Sequence, residues 1–414
     1  MNIPRGLNDL LPEEVLKRRY LENKMVPIFE GWGYQEIITP TFEFYEILAE
    51  SAGPILKKEM IKFVDREGNI VALRPEMTTP IARVASTKLK GEPRPLRFYY
   101  ISNVFRYEDL KIGDRKEFSQ AGVEIIGVKG EKADAEVIAL AVECLINSGL
   151  EKFCIDIGHA NFFNGIMQSM KIEKKDKQEI HRAILNKDFV LLEKILSSKG
   201  VEEKEKELIL KMPTLRGALE VLEKAHKMAN NELSRSALNE IKDVYNRLID
   251  YGLEKYVLID LGIIRDFHYY TGIIFEGYTE YLGFPICSGG RYDNLCSKFG
   301  EDLPSTGFAI GLERLAMILE RERLDSFKLE RPTQYLIYYQ NNSRYFRKAI
   351  CAAKYLRNKG QIVELEIGKL ELAEAINYAL SKGIKYVAII DNNESNKIKR
   401  IEVLSGKEET ITYG

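Results

Sequence analysis

The sequence predicts an α+β fold: a largely antiparallel sheet core with a helical insertion, followed by a small C-terminal α/β domain. Three observations carry that expectation. Runs rich in β-branched and aromatic residues come in pairs around short polar turns, as in MIKFVD with IVALRPE and in YTGIIFEGY with YLGFPIC. From about Lys171 to Tyr256 the chain turns charged and helical, with Gly and Asn stops and few β-branched runs. Beyond Arg331-Pro332, the strands QYLIYYQ, QIVELEI and KYVAIID alternate with helical segments, the pattern of a small, mostly parallel sheet. These signals divide the chain into residues 1–330, with the insertion at about 171–256, and residues 331–414.

Composition narrows the function classes. At 414 residues the chain exceeds one ordinary domain. Lys plus Arg (61) nearly balance Asp plus Glu (62), so no global field draws in nucleic acid or an anionic membrane. The five cysteines show no CxxC spacing and the four histidines are dispersed, which predicts free thiols, no metal and no cofactor. Lacking an apolar leader or a long apolar run, the chain is expected to be soluble and cytoplasmic.

In order, Pro12-Glu13-Glu14 marks the first turn of a helix ending near Phe29, and YQEIITPTFE reads as a strand broken by Pro40, a candidate dimer seam. A helix over Tyr45 to Ala52 leads into MIKFVD and IVALRPE. At the end of the latter strand stand Glu76 and Thr78, a carboxylate and a hydroxyl suited to an ammonium or an imidazole, or, for Thr78, to a helix cap. Two long strands follow around a polar loop. Even spacing places Arg106 with Glu108 on one face, and Gln120 with Glu124. Buried on an apolar sheet these groups need partners, supplied either by a ligand or by a salt-bridge net.

The stretch from Leu261 to Asn294 is the densest in chemistry. Residues 270–278 and 282–287 read as an antiparallel hairpin turning at Thr279 and Glu280, and Gly289-Gly290 lets another group approach the backbone. Arg265, Tyr269 and Tyr270 stand at its mouth. A guanidinium grips a carboxylate or phosphate, and tyrosines offer a face and a hydroxyl to a small ring; alternatively the tyrosines are core and the arginine pairs at the surface.

The segments PRGLNDLLPEE, LRPEMTTP, FRYE with GDRKEFSQAGVEIIG, RDFHYYTGIIFE, SGGRYDNL and TGFAIGLERL together resemble the class II aminoacyl-tRNA synthetases, specifically the histidyl family, over most of residues 1–330. That family includes working synthetases and synthetase-like regulatory subunits of ATP phosphoribosyltransferase. Three departures favour the latter. Met77 stands where synthetases have glycine; Asp114, in Gly113-Asp114-Arg115-Lys116, puts negative charge where polyphosphate would lie; and Phe267 and His268 replace small and acidic partners. Arg106, Arg265 and Arg314 survive, so an active histidyl-tRNA synthetase stays the alternative. The C-terminal domain is similar in layout to a degenerate anticodon-binding domain, without an evident surface for stacking bases.

The resemblance implies a non-catalytic subunit acting in histidine biosynthesis with the short-form catalytic subunit of ATP phosphoribosyltransferase. It implies a dimer within a hetero-octamer, and histidine as a feedback ligand. Glu76, Thr78 and Gln120 would take the α-ammonium, Arg265 the carboxylate, and Glu124, Tyr269 and Tyr270 the imidazole, with Arg106 beside the carboxylate.

Overall fold

The computed structural model describes residues 2–107, 115–170, 172–185, 188–264, 269–322, 333–340, 343–390 and 397–412. Contacts divide the chain into two units, Met1–Phe327 and Lys328–Gly414.

The first unit opens with helix α1 (Pro12–Gly31), whose first turn carries Glu13 and Glu14 at the positive end of the helix. Next come strands β1 (Gln35–Glu36) and β2 (Phe42–Phe44), helices α2 (Tyr45–Ser51) and α3 (Pro54–Glu59), strands β3 (Lys62–Val64) and β4 (Ile70–Leu73), and α4 (Thr78–Thr87). Strands β5 (Leu96–Phe105) and β6 (Glu117–Ile126), helix α5 (Glu131–Asn147), strand β7 (Cys154–His159) and helix α6 (Ala160–Ser169) follow. The insertion supplies α7 (Lys174–Leu185), α8 (Phe189–Ser198), α9 (Glu203–Lys211), β8 (Arg216–Gly217), α10 (Glu220–Met228) and α11 (Glu232–Asp250). Strands β9 (Val257–Asp260), β10 (Ile273–Tyr278), β11 (Cys287–Arg291) and β12 (Ser305–Gly311) and helix α12 (Leu312–Arg321) close the unit.

The main sheet runs β1-β5-β6-β12-β11-β10-β7-β9-β8, and β2-β4-β3 form a smaller one. Two sequence expectations are corrected. The strand broken by Pro40 is two strands in different sheets: β1 pairs parallel with β5, β2 antiparallel with β4. The hairpin's second strand is Cys287–Arg291 rather than 282–287, with Ile274 opposite Gly290 and Gly277 opposite Cys287. The glycine pair therefore lies inside the ladder, where Cβ-free residues let neighbouring groups close on the backbone.

The two-residue pleat sorts the main sheet into two chemistries. Odd residues of β5 and β6 (Tyr99, Ala121, Val123, Ile125) join Phe308, Ile310, Phe275, Ile155 and Ile157 in the principal core with residues of α1, α5, α6 and α12. Buried residues of the insertion, among them Ile180, Leu192, Leu208, Leu238 and Ile241, belong to that same core. Even residues of β5 and β6 (Phe98, Tyr100, Phe118, Ile126) face a smaller cluster with Met77, Ile81, Tyr269, Tyr292 and Leu295. On this second face the polar and glycine positions collect.

In the second unit, β13 (Tyr335–Tyr339), α13 (Ser343–Asn358), β14 (Val363–Leu365), α14 (Leu372–Lys382), β15 (Tyr386–Ile390), β16 (Lys397–Glu402) and β17 (Glu408–Thr412) build a sheet ordered β14-β13-β15-β16-β17. The first three strands of that order are parallel and the last two pairings antiparallel. Among the described residues no helix is long and apolar enough to cross a membrane.

Candidate functional site

On the second face of the main sheet lies a cavity of about 260 Å³ lined by Glu76, Thr78, Arg106, Gln120, Tyr269 and Tyr270 of the predicted set. Arg265, Glu108 and Asp114 lie outside the described residues. Glu124 is 1% exposed and lies behind the lining.

Register explains how a buried glutamate fits there. Glu124 is directly opposite Gly307, and Gln120 opposite Gly311. A Cβ at Gly307 would stand 1.9 Å from Glu124 Oε2, so only glycine leaves the carboxylate its place. The same device recurs at Gly122, where a Cβ would meet the Tyr100 hydroxyl at 2.5 Å, and at Gly290, where it would meet the Tyr270 ring at 2.9 Å.

Around Glu124 the hydrogen bonds come from neutral donors. Thr78 Oγ1 donates to Oε1 at 2.8 Å, and the Tyr292 hydroxyl donates to Oε2. Burial, reinforced by nearby Glu76, pushes the Glu124 carboxyl up to about 8, against the pull of those two donors. Glu76 is also buried and raised by desolvation, its oxygens accepting the Thr79 N–H at 3.2 and 3.1 Å. Thr78 is therefore no cap. Met77 is the N-cap residue of α4 without a side-chain cap bond, and Glu76 satisfies the free N–H of the first turn.

Tyr269 and Tyr270 meet at a ring-centroid distance of 4.8 Å, and Tyr269 sets its edge to Tyr292 at 5.9 Å. Arg106 donates to the Pro75 carbonyl at 2.7 Å and stands 4.5 Å over the Phe118 ring. Arg314 donates to the Pro285 carbonyl at 3.0 Å and stands 4.9 Å over the Phe284 ring. Gln120 Oε1 is buried with no hydrogen-bond partner, an acceptor facing a cavity and wanting a donor. Met77 is fully buried at the cavity wall, occupying volume that a glycine would leave open.

Sequence reasoning did not single out Tyr100, Phe118 or Tyr292 as site residues. Tyr100 and Phe118 sit at even positions of the strands already suspected, and Tyr292 follows the glycine pair at the position that continues the cavity face. Period-two reading of β5 and β6 finds Tyr100 and Phe118, whereas Tyr292 lies one residue beyond the end of β11.

A histidyl-tRNA synthetase family model matches residues 6–315. The ATP phosphoribosyltransferase regulatory subunit of Acetivibrio thermocellus is 41% identical over 399 residues, covering 96% of this chain and 94% of the relative. That of Halothermothrix orenii is 41% identical over 100% of this chain and 98% of its own. The chain belongs to the ATP phosphoribosyltransferase regulatory subunit family. A structure described as an ATP phosphoribosyltransferase regulatory subunit/histidyl-tRNA synthetase from Bacillus halodurans superposes with a TM-score of 0.83 at 32% identity, covering 95% of this chain and 99% of that one. The chain is also similar to the histidine–tRNA ligase of Methanocaldococcus jannaschii, 39% identical over 99% of this chain and 96% of the relative.

Proposed function

We propose that this chain is the regulatory subunit of a hetero-oligomeric ATP phosphoribosyltransferase, that it performs no aminoacylation, and that its cavity senses histidine. The likeness to regulatory subunits over nearly the whole of both chains carries the assignment. For the ligand, the cavity offers the buried Glu76 carboxylate with Glu124 behind it, an unpartnered amide oxygen and a wall of tyrosines, which suit a small molecule bringing an ammonium and a polar ring. In this reading Glu76 and Gln120 take the α-ammonium, the arginines at 106 and 265 the carboxylate, and Tyr269, Tyr270 and Tyr292 the imidazole, with Glu124 behind them.

Histidine binding biases how the subunits pack, and linkage requires the catalytic subunit's state to change histidine affinity by the same factor. Self-association runs through the small sheet, whose Phe42, Phe44, Phe63, Val64 and Ile70 are exposed together with Ile38. A dimer built there carries the short catalytic subunits into a hetero-octamer.

A second reading, a working synthetase, draws on Arg106 and Arg314, each held over an aromatic ring at the cavity. Isotope exchange decides between them. With protein, ATP, histidine and labelled pyrophosphate, the regulatory reading expects no histidine-dependent label in ATP; label at a synthetase-like rate overturns it.

A further inference from the structure

Glu124 is locked rather than merely buried. It fills the space beside Gly307 that a Cβ would take, Thr78 Oγ1 holds Oε1, the Tyr292 hydroxyl holds Oε2, and the residue is 1% exposed. Glu76 is likewise held, by the Thr79 N–H. Neither carboxylate is in an ion pair with a described residue. Among the described residues only hydroxyl and amide donors are bonded to these two buried carboxyl groups, and their mutual repulsion favours keeping one proton between them.

The described side chains packed on Glu124 itself are neutral. From β5 comes Tyr100, from the segment before β10 Tyr269, from the turn after β11 Tyr292 and Cys296, and from the other side of the sheet Tyr34; burial holds all of these in their neutral forms. Arg106 and Arg314 keep their positive charge at the cavity wall, where they donate to the Pro75 and Pro285 carbonyls, and Tyr270 and Gln120 complete the polar lining.

We propose that the empty cavity stores one proton on the Glu76 and Glu124 pair, and that a cationic ligand expels it, so that effector binding is coupled to proton release. This rests on the histidine reading above and adds to it a pH-dependent sensitivity. The ligand's ammonium supplies the positive charge the pair lacks, the carboxyl loses its proton to solvent, and the bound state holds an ammonium against carboxylates. The raised position of Glu124, about 8, agrees with a protonated empty site at neutral pH. The proton belongs to the pair rather than to either residue alone.

The sign follows. Because the ligand favours the ionised pair, affinity rises with pH, by up to about tenfold per pH unit while the empty site is protonated, and levels off once it ionises unaided.

Calorimetric titration of L-histidine into the full chain at pH 7.5, in phosphate and in Tris at equal ionic strength, counts the protons exchanged. The expected result is release of between about half and one proton per histidine bound. Glu124→Gln keeps the shape and removes the titration, its amide N–H turning one of the two hydroxyls from donor to acceptor, and is expected to bind with release near zero. Tyr292→Phe removes a donor that favours the ionised form, and is expected to move the levelling-off to higher pH. No net exchange, or uptake, in the unmodified chain overturns the proposal and leaves the histidine reading standing; so does an unmoved pH profile in Tyr292→Phe. No saturable heat at any pH overturns the histidine reading itself, and the coupling with it.

Discussion

Replacing Gly307 by alanine tests the geometry on which the cavity depends. The new methyl would lie 1.9 Å from Glu124 Oε2, 2.4 Å from the Val123 carbonyl oxygen and 2.6 Å from Glu124 Cδ. The carbonyl belongs to β6, paired with β12 at this point, so the strands must part or the glutamate must leave. Overpacking a tight site costs about 1–3 kcal/mol. Displacing the carboxylate also strands the Thr78 and Tyr292 hydroxyls, adding about 1–3 kcal/mol, for a total of about 2–6 kcal/mol. The assay is urea unfolding at constant m, with Gly283→Ala as control, because nothing lies within 4 Å of a Cβ there. Gly307→Ala should lower the midpoint strongly and weaken histidine binding at least tenfold, while Gly283→Ala stays within about 1 kcal/mol of the parent. Equal stability and equal histidine affinity in the two variants would refute the packing account of the site.

Other predictions concern separate features. Arg291 bridges buried Asp134 at 2.9 Å and also donates to the Val128 and Gly130 carbonyls; Arg291→Met strands that acid and should cost about 3–5 kcal/mol in denaturant unfolding. Burial pushes Asp260 up to about 6, so its contribution is present at low pH and lost as pH rises through that value. Asp260→Asn should therefore stabilise the protein by about 1–3 kcal/mol at pH 7.5 and leave it unchanged near pH 4; equal effects at both pH values would remove burial as the cause. Val64, 66% exposed on the small apolar sheet, should abolish self-association when changed to lysine, as read by sedimentation, with unfolding unaffected.

Much of this architecture is legible in the chain because its periods are clean. The even spacing of Gln120 and Glu124 did put them on one face, and the small C-terminal domain showed its alternation openly. Register is what local pattern does not carry. That Glu124 lies against Gly307 depends on a partner far along the chain, so the glutamate reads as a cavity wall when it is the layer behind it. Thr78 looked like a cap because of its place at a helix start, yet its hydroxyl is taken by Glu124 from another strand. The insertion's charged surface masked the fact that its apolar stripes, through Ile180, Leu192, Leu208, Leu238 and Ile241, are continuous with the principal core. Tyr292 escaped notice because it lies just past the end of β11, where strand period no longer assigns a side chain to a face.

Reconstitution tests the central claim most directly. Phosphoribosyl transfer to ATP by the short catalytic subunit from the same organism is measured alone, with this chain, and with this chain under rising histidine. The account predicts that activity appears or rises strongly on adding the chain, is suppressed by histidine, and loses that suppression in a Gln120→Leu, Glu76→Gln double variant that still associates. Activity indifferent to the chain, or histidine inhibition unchanged in that variant, would contradict it.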